Sequence, residues 1–488
     1  MSRIRLQPVI GLEIHAQLLS KRKLFSPSFV PKPNALPNTS VTFYDAASPG
    51  TLPRLHAEPV RLAIRAGLAF QGTINRQSRF VRKHYFYGDM PAGYQITQQE
   101  KPIASNGLIS IDDGTSVRIE RIQLEQDSGK TVADLDPNFN FLDLNRAGVP
   151  LIEIVTSPDL NDSHRAVQAI KEIQQTLSYL EICDGVMANG NLRVDVNVSM
   201  RSLEDSDVPG HRVEVKNLNS LKSIQRAIDF EIERQSELIR KGESVSQETR
   251  SFDASLGVTQ VLRSKELVKD YRMFNDPDLP LLSLGEDFIS EIQRSMPELP
   301  KNVAVRLQSQ YNLNHSAARI ISSDRRILRY FEEIVAIRHA CTETAVAAAN
   351  WLLNELFGRL TALNIPFHSN PVKAKDFRDL IDMVTSDSLS GSAGKSVLDI
   401  LLEERSLSVG QIVSEKGWSQ ISDSSVLKPV CQQVIEHFPK EVSDYVIKGN
   451  KRKLNFLISE VRKRVGDQAN MATVKSVFVE LLDKTIKE

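Results

Sequence analysis

Up to Leu284 the chain alternates apolar and polar residues in short runs separated by turn residues. In "NLRVDVNVSM", Leu192, Val194, Val196, Val198 and Met200 share one side, and Arg193, Asp195, Asn197 and Ser199 the other. "HRVEVKN" sets Val213 and Val215 against Arg212, Glu214 and Lys216. In "VIGLEIHAQL", Ile10, Leu12 and Ile14 oppose Glu13, His15 and Gln17. In "IQLEQD", Ile122 and Leu124 oppose Gln123, Glu125 and Asp127. A period of two predicts half-buried antiparallel strands. "VPLIEIV" is apolar on both sides except at Glu153. A lone acid in such a strand is costly unless it is paired or bound to a metal. Two helices are predicted among the strands. One opens on Ser163 as N-cap and runs through "HRAVQAIKEIQQTLSYL"; the other is "NSLKSIQRAIDFEIERQSELIRKG", capped by Asn219 or Ser220 and stopped at Gly242.

Beyond "DPDLPLLSL" the period changes. From Glu286 to Glu404 apolar residues recur every three or four positions, as in "DRRILRYFEEIVAIRHA", which predicts helices. "DSLSGSAGKS" reads as a polar loop before "VLDILLEE", and the chain is helical again from Ser406. The fold class expected is α+β. A largely antiparallel sheet domain with inserted helices covers 1–290, an all-α domain 291–405, and a small helical tail 406–488.

Composition narrows the function. Sixty-one basic residues balance 61 acidic ones, so there is no whole-chain basic footprint, and any nucleic-acid contact must be local. Two such clusters stand in the tail: Lys451, Arg452 and Lys453, then Arg462, Lys463 and Arg464. The three cysteines, Cys183, Cys341 and Cys431, lie too far apart in sequence for a disulfide framework or a CxxC pair, which fits a reducing compartment. No apolar run approaches the ~18–20 residues of a membrane span, so no membrane association is expected. "MSRIRLQP" is too short for a secretory signal or a clear presequence.

The acids carry the candidate chemistry. Glu13, Glu125, Glu153, Asp195 and Glu214, with His15, hold corresponding places in separate strands. In one sheet they would crowd one face and repel, and a hard cation such as Mg²⁺ would relieve that. Lys130, Arg193 and Lys216 nearby could hold phosphate. Acids, Mg²⁺ and basic groups together are the equipment of phosphoryl transfer. "SGKT" at Ser128–Thr131 and "AGKS" at Ala393–Ser396 mimic the end of a P-loop, but Leu124 and Leu389 stand where its first glycine belongs. No nucleophile elbow or serine triad is legible.

In order along the chain stand "VIGLEIHAQL", "KLFS", "PGTLP", "RKHYFYGDMPAGYQITQ", "LEQDSGK", "LDLNRAGVPLIEIV", "NLRVDVNVS", "EVKNLNS", "QETRSFD" and "RSKELVKDYR". Together these closely resemble the GatB/GatE family, the B subunits of glutamyl-tRNA(Gln) amidotransferases (GatCAB). The residues after them resemble, more loosely, that family's helical domain and YqeY-like tail. The resemblance implies a cradle-shaped catalytic domain and a reaction. The γ-carboxylate of Glu-tRNA(Gln) is activated by ATP, with Mg²⁺, as an acyl phosphate. Ammonia from an amidase (glutaminase) partner, the A component of a heterotrimer, then displaces phosphate, and a small C component tethers the other two. It also implies that Glu13, His15, Glu125, Glu153, Asp195 and Glu214 are catalytic and metal positions. Lys83, Tyr85, Lys130, Arg146, Lys216 and Asn217 would meet ATP or the acylated tRNA end, with Tyr85 and Tyr87 able to stack on a base. The tail clusters would meet the tRNA backbone.

The chain departs from the family pattern in places. Ser26, Ser28, Thr42 and Asp45 replace four cysteines that bind zinc in many bacterial members, so no zinc is expected. Gln126 replaces a second acid, and Asn189, Met273 and Asn275 also differ. "FYDAASPGTLP" and "KHYFY" are most similar to mitochondrial members, which implies the mitochondrial matrix, with the cytoplasm as the alternative. A tRNA-binding scaffold without chemistry is the competing function.

Overall fold

The structure is a computed structural model that describes residues 5–133, 138–203, 210–264, 270–338, 341–404, 407–418, 424–448, 451–465 and 471–487. It divides into two compact units, Met1–Leu299 and Pro300–Glu488. The first is built on a nine-stranded sheet. Its spatial order is Val258–Ser264, Glu248–Asp253, Val213–Leu218, Leu192–Ser202, Leu6–Gln17, Pro150–Thr156, Ser116–Gln126, Ala104–Ser110 and Thr73–Ile74. All neighbours are antiparallel except Val213–Leu218 and Glu248–Asp253, which run parallel. The α+β class holds.

Register decides what the faces carry. In the central strand Leu6–Gln17, Glu13 lies opposite Asp195 and Val155, and His15 opposite Arg193 and Glu153. Glu125 lies opposite Leu151, and Glu214 opposite Asn197. Residues opposite one another in a ladder share a face, so all six predicted residues fall on one side of one sheet. The other side holds Ile10, Leu12, Ile14, Leu124, Ile152, Ile154, Val196 and Val215, each essentially buried. Helices Ala57–Ala69, Ser163–Tyr179 and Leu221–Arg240 complete that core. Removing one such side chain, as in Ile14→Ala, costs about 2–5 kcal/mol.

Three local expectations need correction. Ala57–Ala69 is a third helix among the strands; its Pro59 falls in the first turn, where proline is tolerated because that N–H has no helical partner. The helix Ser163–Tyr179 is capped by Asp162, whose carboxylate accepts the Arg165 N–H at 2.8 Å, with Ser163 already inside the first turn. "GSAGKS" is helix rather than loop: Ser390 caps Gly391–Glu403. Gly394 is needed there, since a Cβ would lie 2.9 Å from Val384 and 3.0 Å from Trp351. Ser220 caps Leu221–Arg240, and Gly242 follows at φ 79°.

The second unit is helical in its described residues and has two separate cores. One contains Phe331, Leu352, Phe377 and Leu398; the other contains Leu427, Leu457, Val474 and Phe478. Among the described residues no helix is long and apolar enough to cross a membrane.

Candidate active site

The six predicted residues gather as two triplets. His15, Glu125 and Glu153 form one, and Glu13, Asp195 and Glu214 the other; within each, one ligand atom per residue lies within 4.8 Å of the rest. His15 joins them, with Nδ1 2.7 Å from Glu125 Oε1 and Nε2 4.0 Å from Asp195 Oδ2. Neutral donors hold the remaining acids. Gln123 donates to Glu153, Asn197 Nδ2 to Glu13 Oε1 at 2.8 Å, and Thr249 Oγ1 to Glu214 Oε2 at 3.0 Å. Lys216 Nζ lies 2.5 Å from Asp195 Oδ2 and 3.0 Å from Glu214 Oε1.

This crowding governs protonation. Burial opposes a charge on His15, but the Glu125 carboxylate, with help from Glu153 and Asp195, outweighs it and lifts the imidazole to about 9. Glu153 is pushed up to about 7 by burial and by the nearby Glu125 and Glu13 charges. Burial also acts to raise Glu125, yet the His15 cation at hydrogen-bond distance holds it below the ordinary carboxylate range. Burial works against a charged Lys216, but Asp195 and Glu214 raise it well above an ordinary lysine. Protons thus supply part of the missing positive charge. The donor set suits a hard divalent ion: carboxylate oxygens lie at close range. Asn197, which holds Glu13, has a buried Oδ1 with no hydrogen-bond partner.

A cavity of about 290 Å³ opens beside the triplets, lined in part by His15, Tyr85, Glu125, Asp127, Arg193 and Asp195. Lys216 and Asn217 line it too, so three of the six predicted nucleotide or tRNA-end residues reach it. The other three do not line it. Lys83 Nζ lies over the Tyr271 ring at 4.8 Å. Lys130 is exposed on Lys130–Ala133, a strand paired with Asn140–Asp143 outside the large sheet. Arg146 donates to the Ser128 and Gly129 carbonyls at 3.0 and 2.7 Å, bracing the loop where the chain leaves the sheet. "SGKT" straddles that loop and strand, and "AGKS" lies within a helix; neither forms a phosphate-cradling loop. Tyr87 is exposed, its ring 5.7 Å from that of Tyr85.

Sequence reasoning gave no role to Gln123, Asn197, Thr249 or Asp127. Arg193 Nη2 meets Asp127 Oδ2 at 3.1 Å, which fixes that guanidinium at the cavity wall. Position on the polar strand face was the available signal for Gln123, Asn197 and Asp127.

Of Ser26, Ser28, Thr42 and Asp45, three form a compact knot. Ser26 Oγ lies 3.0 Å from both Thr42 Oγ1 and Asp45 Oδ2, and the Thr42 N–H donates to Asp45 at 2.8 Å. The Ser28 N–H donates to Ser26 Oγ at 3.1 Å. The fully buried Lys23 ammonium stands 3.4 Å from Asp45.

The tail clusters lie on the helix Lys451–Val465. Arg452, Lys463 and Arg464 are exposed. Lys453 faces Glu441 at 3.6 Å and Lys463 faces Glu460 at 2.5 Å. The side chains of Lys451 and Arg462 lie outside the described residues.

Comparison with known proteins agrees with this architecture. Residues 8–290 match the GatB/GatE catalytic domain, and residues 329–482 match the GatB domain named GatB_Yqey. The chain is 43% identical to the B subunit of the mitochondrial glutamyl-tRNA(Gln) amidotransferase of Naegleria gruberi, covering 97% of this chain and 94% of that protein. It is 42% identical to the B subunit of the aspartyl/glutamyl-tRNA(Asn/Gln) amidotransferase of Rickettsia bellii, with 97% of each covered. The protein of the same name from a Wolbachia species is 43% identical, with 98% of each covered. The chain belongs to the GatB/GatE family, the B subunits of tRNA amidotransferases.

Proposed function

We propose that this chain carries out the ATP- and Mg²⁺-dependent transamidation of Glu-tRNA(Gln) to Gln-tRNA(Gln). The observation that carries the reading is the pair of acid triplets on one sheet face, opening on a cavity lined by Arg193 and Lys216. A carboxylate does not react with ammonia, because its leaving group would be oxide. Attack of the glutamyl γ-carboxylate on the terminal phosphorus of ATP gives a γ-glutamyl phosphate and ADP. Ammonia nitrogen then bonds to the γ-carbon, and phosphate leaves. Mg²⁺, held by the two triplets, would neutralise charge on the transferring phosphoryl group. Arg193 and Lys216 bind phosphoryl oxygens from the cavity wall, and Tyr85 offers a ring for a base. Gln123, Asn197 and Thr249 fix the acids without adding charge.

In this reading ammonia comes from the amidase partner, which the small C component tethers, and the tail helix meets the tRNA backbone. The name of the Naegleria relative supports a mitochondrial setting, which this reading takes to be the matrix. The bacterial relatives carry two substrates in their names, so the assay includes Asp-tRNA(Asn).

The test is co-expression with the amidase and the small tethering partner, followed by supply of Glu-tRNA(Gln), ATP and glutamine or ammonia. Gln-tRNA and phosphate should both appear, and both should vanish with Glu125→Ala or Asp195→Ala. Equal product from the variants would show that the active-site assignment is wrong.

A further inference from the structure

Lys216 holds the position a divalent ion would need. Its Nζ touches Asp195 at 2.5 Å and Glu214 at 3.0 Å, and those acids with Glu13 make up one triplet. Three carboxylates face one ammonium, with the His15 ring 4.0 Å from Asp195 and shared with Glu125, so the triplet stays short of positive charge.

The placement has a specific cause. The Val213–Leu218 strand bears an irregularity opposite Val194 to Val196, where three residue steps on one strand match two on the other. Asn217 takes up the extra residue with φ 63°. A bulge re-aims its neighbours, and such bulges concentrate beside active sites. Here the neighbour is Lys216, turned toward Asp195 on the adjacent strand and Glu214 on its own. A second, independent feature concerns Asn197, which is 7% exposed. Its amide nitrogen is committed to Glu13, while its buried Oδ1 has no partner. The ammonium reduces the charge of the triplet, and the residue that holds Glu13 keeps one buried oxygen without a partner. A hard divalent ion takes carboxylate and amide oxygens together.

We propose that Lys216 is an exchangeable counter-ion: a divalent cation entering the Glu13–Asp195–Glu214 triplet displaces its ammonium, which turns into the adjoining cavity to meet a phosphate-class anion. This rests on the metal reading given under the proposed function. An ion about 2.1 Å from a carboxylate oxygen cannot share that oxygen with an ammonium without bringing two cations together in a half-buried site. Lys216 has somewhere to go, because it already lines the cavity beside Arg193. Its four-carbon stem and rotatable donors allow the move. The anion site is then complete only after the metal is loaded, which orders the two binding events.

The experiment titrates the full-length chain with Mn²⁺, using calorimetry and the electron spin resonance signal of free Mn²⁺. Lys216→Met keeps the stem and removes the charge; Lys216→Gln serves if the Met variant does not fold. The expected result is Mn²⁺ affinity tightened by about tenfold or more, with the gain lost when Asp195→Asn is added. In the unaltered chain, Mn²⁺ should also speed acylation of Lys216 by an amine-reactive reagent, read by mass spectrometry. Equal or weaker Mn²⁺ binding by Lys216→Met overturns the exchange and leaves the metal reading standing. No Mn²⁺ bound by either chain overturns both.

Discussion

Two carboxylates on opposite faces of the same sheet meet opposite fates. Glu231, on the helix Leu221–Arg240, is fully buried on the helix-covered face. Arg234 bonds it at 2.8 Å, Gln235 at 3.0 Å and Thr259 Oγ1 as well, and Arg250 lies 3.2 Å away. Burial acts to raise its pKa, but these donors hold it below the ordinary carboxylate range. Glu153, on the other face, has Gln123 as its neutral donor and acids as neighbours, and it rises to about 7. A structural buried charge is closed by matched donors. The acid face is left short of positive charge, and that deficit marks it as a place for a cation from outside.

The comparison breaks most visibly by mutation. Glu231→Ala leaves Arg234 and Arg250 with only Glu248 to share and should cost about 3–5 kcal/mol in denaturant unfolding. Glu153→Gln should stay within about 1 kcal/mol of the parent stability while turnover of the assembled enzyme drops by about tenfold to a hundredfold. If both variants lose stability alike, the two faces do not differ in kind.

Protonation sharpens the same contrast. Folding raises His15 from 6.5 to about 9 and Glu153 from 4.5 to about 7. The folded state then binds more protons than the unfolded one. The stability these groups contribute is complete below their unfolded values, and it is lost as pH rises through about 7 for Glu153 and about 9 for His15. Glu231 is lowered, so its contribution is present above its unfolded value and disappears as pH falls. Melting temperatures recorded with a chelator should therefore fall from about pH 4.5 to about pH 9. Glu125→Gln should flatten the upper part of that decline by removing the main partner of His15.

Backbone effects at Asn217 are smaller. Its φ of 63° suits Asn and Gly. Asn217→Val should cost about 1–2 kcal/mol and weaken Mn²⁺ binding, while Asn217→Gly leaves both nearly unchanged. The tail gives the mildest outcome. Replacing Lys451, Arg452 and Lys453 by Ala should flatten the salt dependence of tRNA binding by about 0.7–0.9 for each phosphate no longer neutralised, with glutaminase activity of the complex unchanged.

Strand periodicity made the acid face legible. The alternation in "NLRVDVNVSM" and "GLEIHAQL" determines which residues share a side. It does not determine strand order, which depends on pairings between residues far apart, such as Glu13 with Asp195 and Glu125 with Leu151. The convergence of the six residues therefore rested on the assumption of one sheet, which the structure bears out. Lys130 stands apart from the acid face because the chain leaves the large sheet after Gln126, a turn that the alternation of "IQLEQD" does not announce. Gln123 and Asn197 were visible on the polar face, but a neutral amide there has the same pattern as a solvated one. The helix Ala57–Ala69 was hidden by Pro59 and Gly67. Gly67 lies where a Cβ would approach Ile74 and Ala104 within 3 Å, so its glycine reflects close packing of the helix on the sheet rather than a turn.

The central claim is that the acid face holds divalent ions where the opposite face holds arginines. Anomalous diffraction from crystals of the full-length chain grown with Mn²⁺ tests it most directly. The account predicts one peak within His15, Glu125 and Glu153 and another within Glu13, Asp195 and Glu214. An anomalous map with neither peak, from crystals in which the sheet is intact, would contradict it.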